Sequence, residues 1–249
     1  MKTLTLDRKK PKSLNQAKRA ERLYAKQLTR LAEHVGQIIG GFPAGDPEAL
    51  PTIENMLRRY AEALVPWAER TAMTMILDVN QKDEDMWRRL GQELSANVRK
   101  EILLAPTGQT MRRLMGEQVA LIKSIPIEAA QRVHELTIKG LEDSTRAKEF
   151  AEEILRSNEV AKSRAMLIAR TEVARTASNL TEARAKAVGA DQYIWRTSGD
   201  GDVREDHKVL NGKVFSWDDP PIADIRYGRR ANPGCIYNCR CYAEPIIPD

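Results

Sequence analysis

Apolar residues fall at helical spacing through most of this chain and change to strand-like alternation only near its end. From Ser13 to about Ile39, Leu14, Ala17, Ala20, Leu23, Leu28, Leu31 and Val35 recur at steps of three and four, lining one face of a helix. Gly40-Gly41-Phe42-Pro43 stops it, and Pro43 to Pro47 reads as a turn because its prolines and glycine oppose continued helix. A second helical stretch runs from Pro51-Thr52 through Leu57, Tyr60, Leu64, Trp67 and Met75 to about Val79, with Pro66 placed to kink or break it. A third is expected from Asp83 to Leu104, with Trp87, Leu90, Leu94 and Val98 on one side and a stop at Ala105-Pro106. Trp67 and Trp87 lie on these stripes as expected core anchors.

Shorter helices are predicted over Thr110–Ile122, Pro126–Lys139 and Ser144–Leu155, with Pro126 at a favoured first-turn position and Gly140 as a stop. Ser157-Asn158-Glu159 supplies cap chemistry for the most regular helix, whose stripe is Ala161, Ala165, Ile168, Ala169, Val173, Ala177, Leu180, Ala183 and Ala187. So small a set of side chains suits close packing against other helices. Arg164, Arg170, Arg175, Arg184 and Lys186 give this helix a basic side, read as a solvated face with pairs such as Glu172 with Arg175 ahead of a phosphate track.

After Gly189 the pattern changes. Gln192 to Thr197 alternates and is β-prone; Ser198 to Asp202 is a turn; Arg204 to Leu210 forms a short helix presenting His207. Asn211-Gly212 predicts a hairpin returning through Lys213-Val214-Phe215, residues around Pro220-Pro221, Gly228 and Gly234 are loop-like, and Tyr242 to Ile247 closes as an edge strand. The expected fold class is therefore mainly α with a small C-terminal α+β module. Its divisions are a loose basic arm over 1–12, a helical region over 13–156, a long connecting helix over 157–189 and the module over 190–249.

Composition narrows the function classes. With 249 residues, 42% of them hydrophobic, the chain is long enough to bury a core. Its formal charge of +5 leans modestly towards polyanions. The N-terminus lacks the apolar stretch of a secretory signal, and no apolar run approaches the ~20 residues of a membrane helix, so synthesis in the cytoplasm without a spanning segment is expected. No P-loop, dinucleotide fingerprint, nucleophile elbow or H-E-x-x-H motif occurs.

Candidate chemistry is confined to the terminal module. All three cysteines, Cys235, Cys239 and Cys241, lie there, downstream of His207. Four soft ligands match tetrahedral zinc, and a module of this size commonly needs a staple. Packed reduced thiols and a reactive thiol are the other readings of the same residues. Asp200, Asp202 and Asp206 beside His207 and Arg204 define an alternative, a metal-dependent nuclease or DNA-processing factor, although the other histidines, His34 and His134, sit on distant helices.

Taken together, Ala169-Arg170-Thr171-Glu172, Asn179, Arg184, Gly189, Trp195, Asp202-Val203-Arg204, His207, Leu210, Gly212, Pro233-Gly234, Asn238-Cys239-Arg240-Cys241 and Pro245 resemble the phage Mu F-like family of minor head proteins of tailed bacteriophages. The likeness covers roughly Leu121 onwards. It implies a non-enzymatic minor capsid protein of the virion, involved in head morphogenesis and associated with the portal protein. Scaffold, major capsid protein and packaged DNA are further implied partners, and DNA packaging or ejection a linked process. Family members often end in His-Pro-Asn-Cys-Arg-Cys, so the resemblance implies that Cys235 stands where a histidine often does. That exchange keeps a metal-capable ligand. In the same comparison Arg170, Glu172, Asn179, Arg184, Trp195, Asp202, Arg204 and Gly212 are motif positions of structural weight.

Overall fold

A computed structural model describes residues 2–3, 17–90, 100 and 104–247. In chain order the elements are β1 (Lys2–Thr3), α1 (Lys18–Gly40), α2 (Leu50–Ala63), α3 (Val65–Leu90), α4 (Thr107–Glu142), a 3-10 turn (Ser144–Arg146), α5 (Ala147–Leu155) and α6 (Ser157–Ala187). The terminal elements follow: β2 (Gln192–Arg196), α7 (Glu205–Leu210), β3 (Val214–Ser216), β4 (Ile222–Asp224), a 3-10 turn (Ile225–Tyr227), β5 (Arg229–Arg230) and β6 (Tyr242–Ile247). The fold is the expected long-helix body with a small C-terminal strand module.

Helix boundaries differ from those the sequence predicts at the prolines. Pro66 does break the second stretch, since α2 ends at Ala63 and α3 begins at Val65. A proline in a first turn has no N–H to leave unpaired. The expected division between Val79 and Asp83 is absent, and α3 runs unbroken to Leu90. Pro126 lies inside α4, joining the two short helices predicted on either side of it. Buried Ile122, Ile125 and Ala129 continue the apolar stripe across the proline, so burial outweighs the missing hydrogen bond. Leu94 and Val98, and Leu14 with most of the basic arm, lie outside the described residues.

The chain forms two compact units, one of residues 22–74 and 115–169, the other of residues 1–21, 75–114 and 170–249. The first is helical. Leu28, Leu31, Val35, Leu57, Ile122, Ile125 and Ile154 fill its core, Trp67 is half-buried, and the Tyr24 hydroxyl donates to buried Gln118 at 2.9 Å. Gly36 of α1 is where Asn158 of α6 comes closest: a Cβ there would meet the Asn158 side chain at 2.5 Å.

The second unit holds a four-stranded sheet ordered β1-β6-β2-β3, all pairs antiparallel, and a two-stranded β4-β5 ribbon. The sequence predicts β6 at an edge, but it sits between β1 and β2 with all six residues buried. Lys2–Thr3, within the expected arm, occupy the edge instead. The module's core is not its own alone. Tyr193, Trp195, Trp217 and Ile236 pack with Met86 and Trp87 of α3 and Ala185 and Val188 near the end of α6. Helix residues supply apolar area that a module of about 60 residues lacks.

Candidate metal centre

Three side chains meet in the interior of the module. His207, Cys239 and Cys241 are all buried, and one ligand atom from each lies within 4.8 Å of the others. His207 Nδ1 is 3.6 Å from Cys239 Sγ and 3.4 Å from Cys241 Sγ. Its Nε2 donates to the Ala223 carbonyl at 2.9 Å, which leaves the Nδ1 lone pair aimed at the sulfurs. A carbonyl holding the far nitrogen is the usual outer support of a metal-bound histidine. Zn–S and Zn–N bonds of about 2.3 and 2.0 Å at a tetrahedral angle put nitrogen and sulfur about 3.5 Å apart, which both nitrogen–sulfur separations match.

Local backbone chemistry explains how the sulfurs arrive there. Cys239 and Cys241 lead into β6 two residues apart, so both face His207. Gly234 has φ of +86°, and a Cβ on it would meet the Ala174 carbonyl oxygen at 3.0 Å and that of Cys241 at 3.3 Å. Only glycine lets the loop approach α6 this closely. Asn238 takes a left-handed φ of 55°, which asparagine tolerates, and its N–H donates to Thr171 Oγ1 at 3.1 Å.

The cluster stabilises one thiolate. A hydrogen bond from Cys241, helped by His207 and opposed by burial, draws Cys239 well below the ordinary thiol range. The Gly234 N–H adds a contact to its sulfur at 3.4 Å. The hydrogen bond with Cys239, then burial, pushes the Cys241 thiol up. For His207 burial acts downward, but the hydrogen bond and charge of Cys239 outweigh it and the imidazole is raised. A stabilised thiolate beside an imidazole whose far nitrogen is already held makes a soft donor set.

The structure places the remaining candidates elsewhere. Cys235 stands outside the three-residue group; the Asn179 amide is 4.0 Å from its sulfur, and burial, only partly offset by a hydrogen bond with Ser178, pushes it up to about 11. Asp200 and Asp202 both pair with Arg240, at 3.2 and 2.9 Å, and Asp206 accepts from the Ile225 N–H at 3.4 Å. The three carboxylates thus have other partners and form no cluster around His207.

The motif residues fasten the same region. Arg204 donates to the Tyr237 carbonyl at 2.7 Å, Asn179 accepts from Arg113 at 2.6 Å, and Gly212, with φ of +81°, closes the turn by donating to the Trp195 carbonyl at 2.8 Å. Fully buried Trp195 sets its ring 5.4 Å from the His207 ring. The basic side of α6 is a set of ion pairs, Arg164 with Glu128, Arg170 with Glu21, Arg175 with Glu172 and Lys186 with Glu182. Arg184 departs from a solvated face: it is buried and held by Asp83 and, at 2.9 Å, by Asn80. In the sequence Asp83 reads only as a helix start, and nothing local marks it as the partner of Arg184.

Residues 131–244 match the model of the phage Mu protein F-like family. That segment, a little under half of the chain, is similar to the family. This Mu F-like segment contains all the metal-capable residues described above and the whole of α6. An uncharacterised protein of Haemophilus influenzae is 31% identical over 157 residues, covering 63% of this chain and 33% of the relative. The chain therefore spans about a third of the length of that curated relative. No solved structure matches significantly. Among the described residues, no helix is long and apolar enough to cross a membrane.

Proposed function

We propose that this chain is a non-enzymatic minor component of a tailed-phage head, present in few copies and seated at the portal vertex, where it serves head assembly and DNA packaging or ejection. The portal protein is the first partner, with scaffold and major capsid protein as further ones. The supporting observation is the use of the motif residues. Arg184, Asn179, Asp202 and Arg204 are all engaged in holding loops and helices of the chain's own second unit. A protein whose distinctive polar residues are committed in this way recognises partners through its surface.

We further propose zinc as the ion of the centre, held by His207, Cys239 and Cys241 as a structural staple. Cys235 is the remaining soft donor, and joining the ion would require its thiol to leave the Asn179 amide. The nuclease alternative draws less support, because Asp200 and Asp202 are both paired with Arg240 and both His207 nitrogens face groups of the fold.

Head incorporation tests the reading. Heads separated from soluble protein in infected cells and quantified by mass spectrometry should carry the chain at a fixed, low ratio to portal. Its absence from heads at every stage of assembly would overturn the proposal.

A further inference from the structure

The β4-β5 ribbon carries an exposed, cationic turn. Residues 225–230, Ile-Arg-Tyr-Gly-Arg-Arg, are exposed without interruption, whereas Ala223 beneath them is fully buried. Its base is fixed twice: the Ala223 carbonyl accepts from His207, and Asp206 accepts from the Ile225 N–H. Gly228, with φ of +61°, closes the tip.

Arginines and tyrosines alternate on this surface. The Arg226 guanidinium lies 5.3 Å from the centre of the Tyr227 ring, and that of Arg229 lies 5.7 Å from the Tyr237 ring. Both rings remain largely exposed, at 70% and 53%. Arg204 adds a third cation beside Tyr237 through its bond to that residue's carbonyl. Of the nearby acids, Asp219 pairs with Arg230, Asp206 is engaged by the ribbon backbone and Asp224 is half-buried. Among the described residues no carboxylate pairs with Arg226 or Arg229. Stacking on a ring restricts a guanidinium while leaving its N–H edge outward, which suits bidentate binding of phosphate.

We propose that this ribbon binds nucleic acid, with Arg226 and Arg229 taking phosphodiester groups while Tyr227 and Tyr237 offer faces to sugars and unstacked bases. An acidic protein surface would use the same arginines but leave the exposed surface of the two rings uncovered; a polynucleotide, with phosphates and bases together, uses both. The charge and shape of the ribbon carry this independently of the head assignment.

The test is fluorescence anisotropy of the full chain with a short labelled DNA duplex and the matching single strand across a salt series. Arg226→Ala/Arg229→Ala should bind at least about tenfold more weakly than the unsubstituted chain, and the slope of log affinity against log salt should flatten by about 2, one for each arginine–phosphate pairing removed. Arg58→Ala/Arg59→Ala removes the same charge from an exposed part of α2 and should leave both quantities unchanged. Equal weakening in the two variants would reduce the effect to net charge and overturn the proposal. So would undiminished binding by the ribbon variant, or no binding by the unsubstituted chain. A ribbon variant that keeps its DNA affinity but fails to enter heads would assign the ribbon to a protein partner, leaving the head assignment standing while the nucleic-acid role falls.

Discussion

Asp83 is a carboxyl group with almost no access to solvent, enclosed by Arg184, by the Thr181 hydroxyl at 2.6 Å and by α3 itself. Burial pushes it up to about 6 from an ordinary 3.8, against the pull of Arg184 and Thr181. The folded chain therefore holds this proton more tightly than the unfolded chain. The stability it contributes is complete below about 3.8 and disappears as pH rises through about 6. Urea midpoints of the unsubstituted chain should fall from pH 4 to pH 6.5 relative to those of Asp83→Asn, by the equivalent of 1–3 kcal/mol on the order-of-magnitude scale of such linkage. Parallel curves for the two proteins would contradict this. The sequence shows both Asp83 and Arg184, but their pairing joins positions 101 residues apart. Helical periodicity identifies a face and says nothing of which face it meets.

Among the elements, α1 and α6 are limited by the close approach of Gly36 to Asn158. An alanine at position 36 gains up to about 1 kcal/mol of helix propensity. It also places a Cβ 2.5–2.7 Å from the Asn158 side chain, so that a side chain or a helix must move. Overpacking of this kind costs typically about 1–3 kcal/mol, so Gly36→Ala should lower stability by about 1 kcal/mol in chemical denaturation. Asn158→Gly in the same background should recover part of that decrease, and a Gly36→Ala protein more stable than its parent would show that the helices have room to part. Most elements are legible in the sequence because each rests on local spacing. The α6 stripe is buried at Ala161, Ala165, Ile168, Ala169, Val173, Ala177 and Leu180, and the strand-helix-strand order after Gly189 is as expected. What is not legible depends on tertiary packing: the passage of α4 through Pro126, the continuity of α3, and the central place of β6.

For the whole molecule, the candidate metal centre matters because of what it joins. His207 comes from α7, Cys239 and Cys241 from the approach to β6, and the supporting carbonyl from β4. The cysteine cluster and its histidine are visible as a soft-ligand set in the sequence. The geometry then divides them, bringing three together and turning the Cys235 thiol towards α6, a distinction that spacing alone cannot express. Purified chain should carry about one zinc by elemental analysis. Cys239→Ser, Cys241→Ser and His207→Ala should lose it and Cys235→Ser should keep it, while a strong chelator should lower the melting temperature by several degrees. Full metal retention by Cys239→Ser, or equal depletion in Cys235→Ser, would refute the three-ligand assignment.

The sheet is threaded so that β6, encoded after every other described strand, lies between two of them. A ribosome making this protein releases β2 some 190 residues after β1, yet neither can pair with β6 until residues 242–247 emerge. The β2-β3 hairpin can form early because its pairing is local, whereas the β2-β6 pairing and the two sulfurs beside it must wait. On the nascent chain, then, the helices acquire structure first, and the module with its candidate metal centre matures after them.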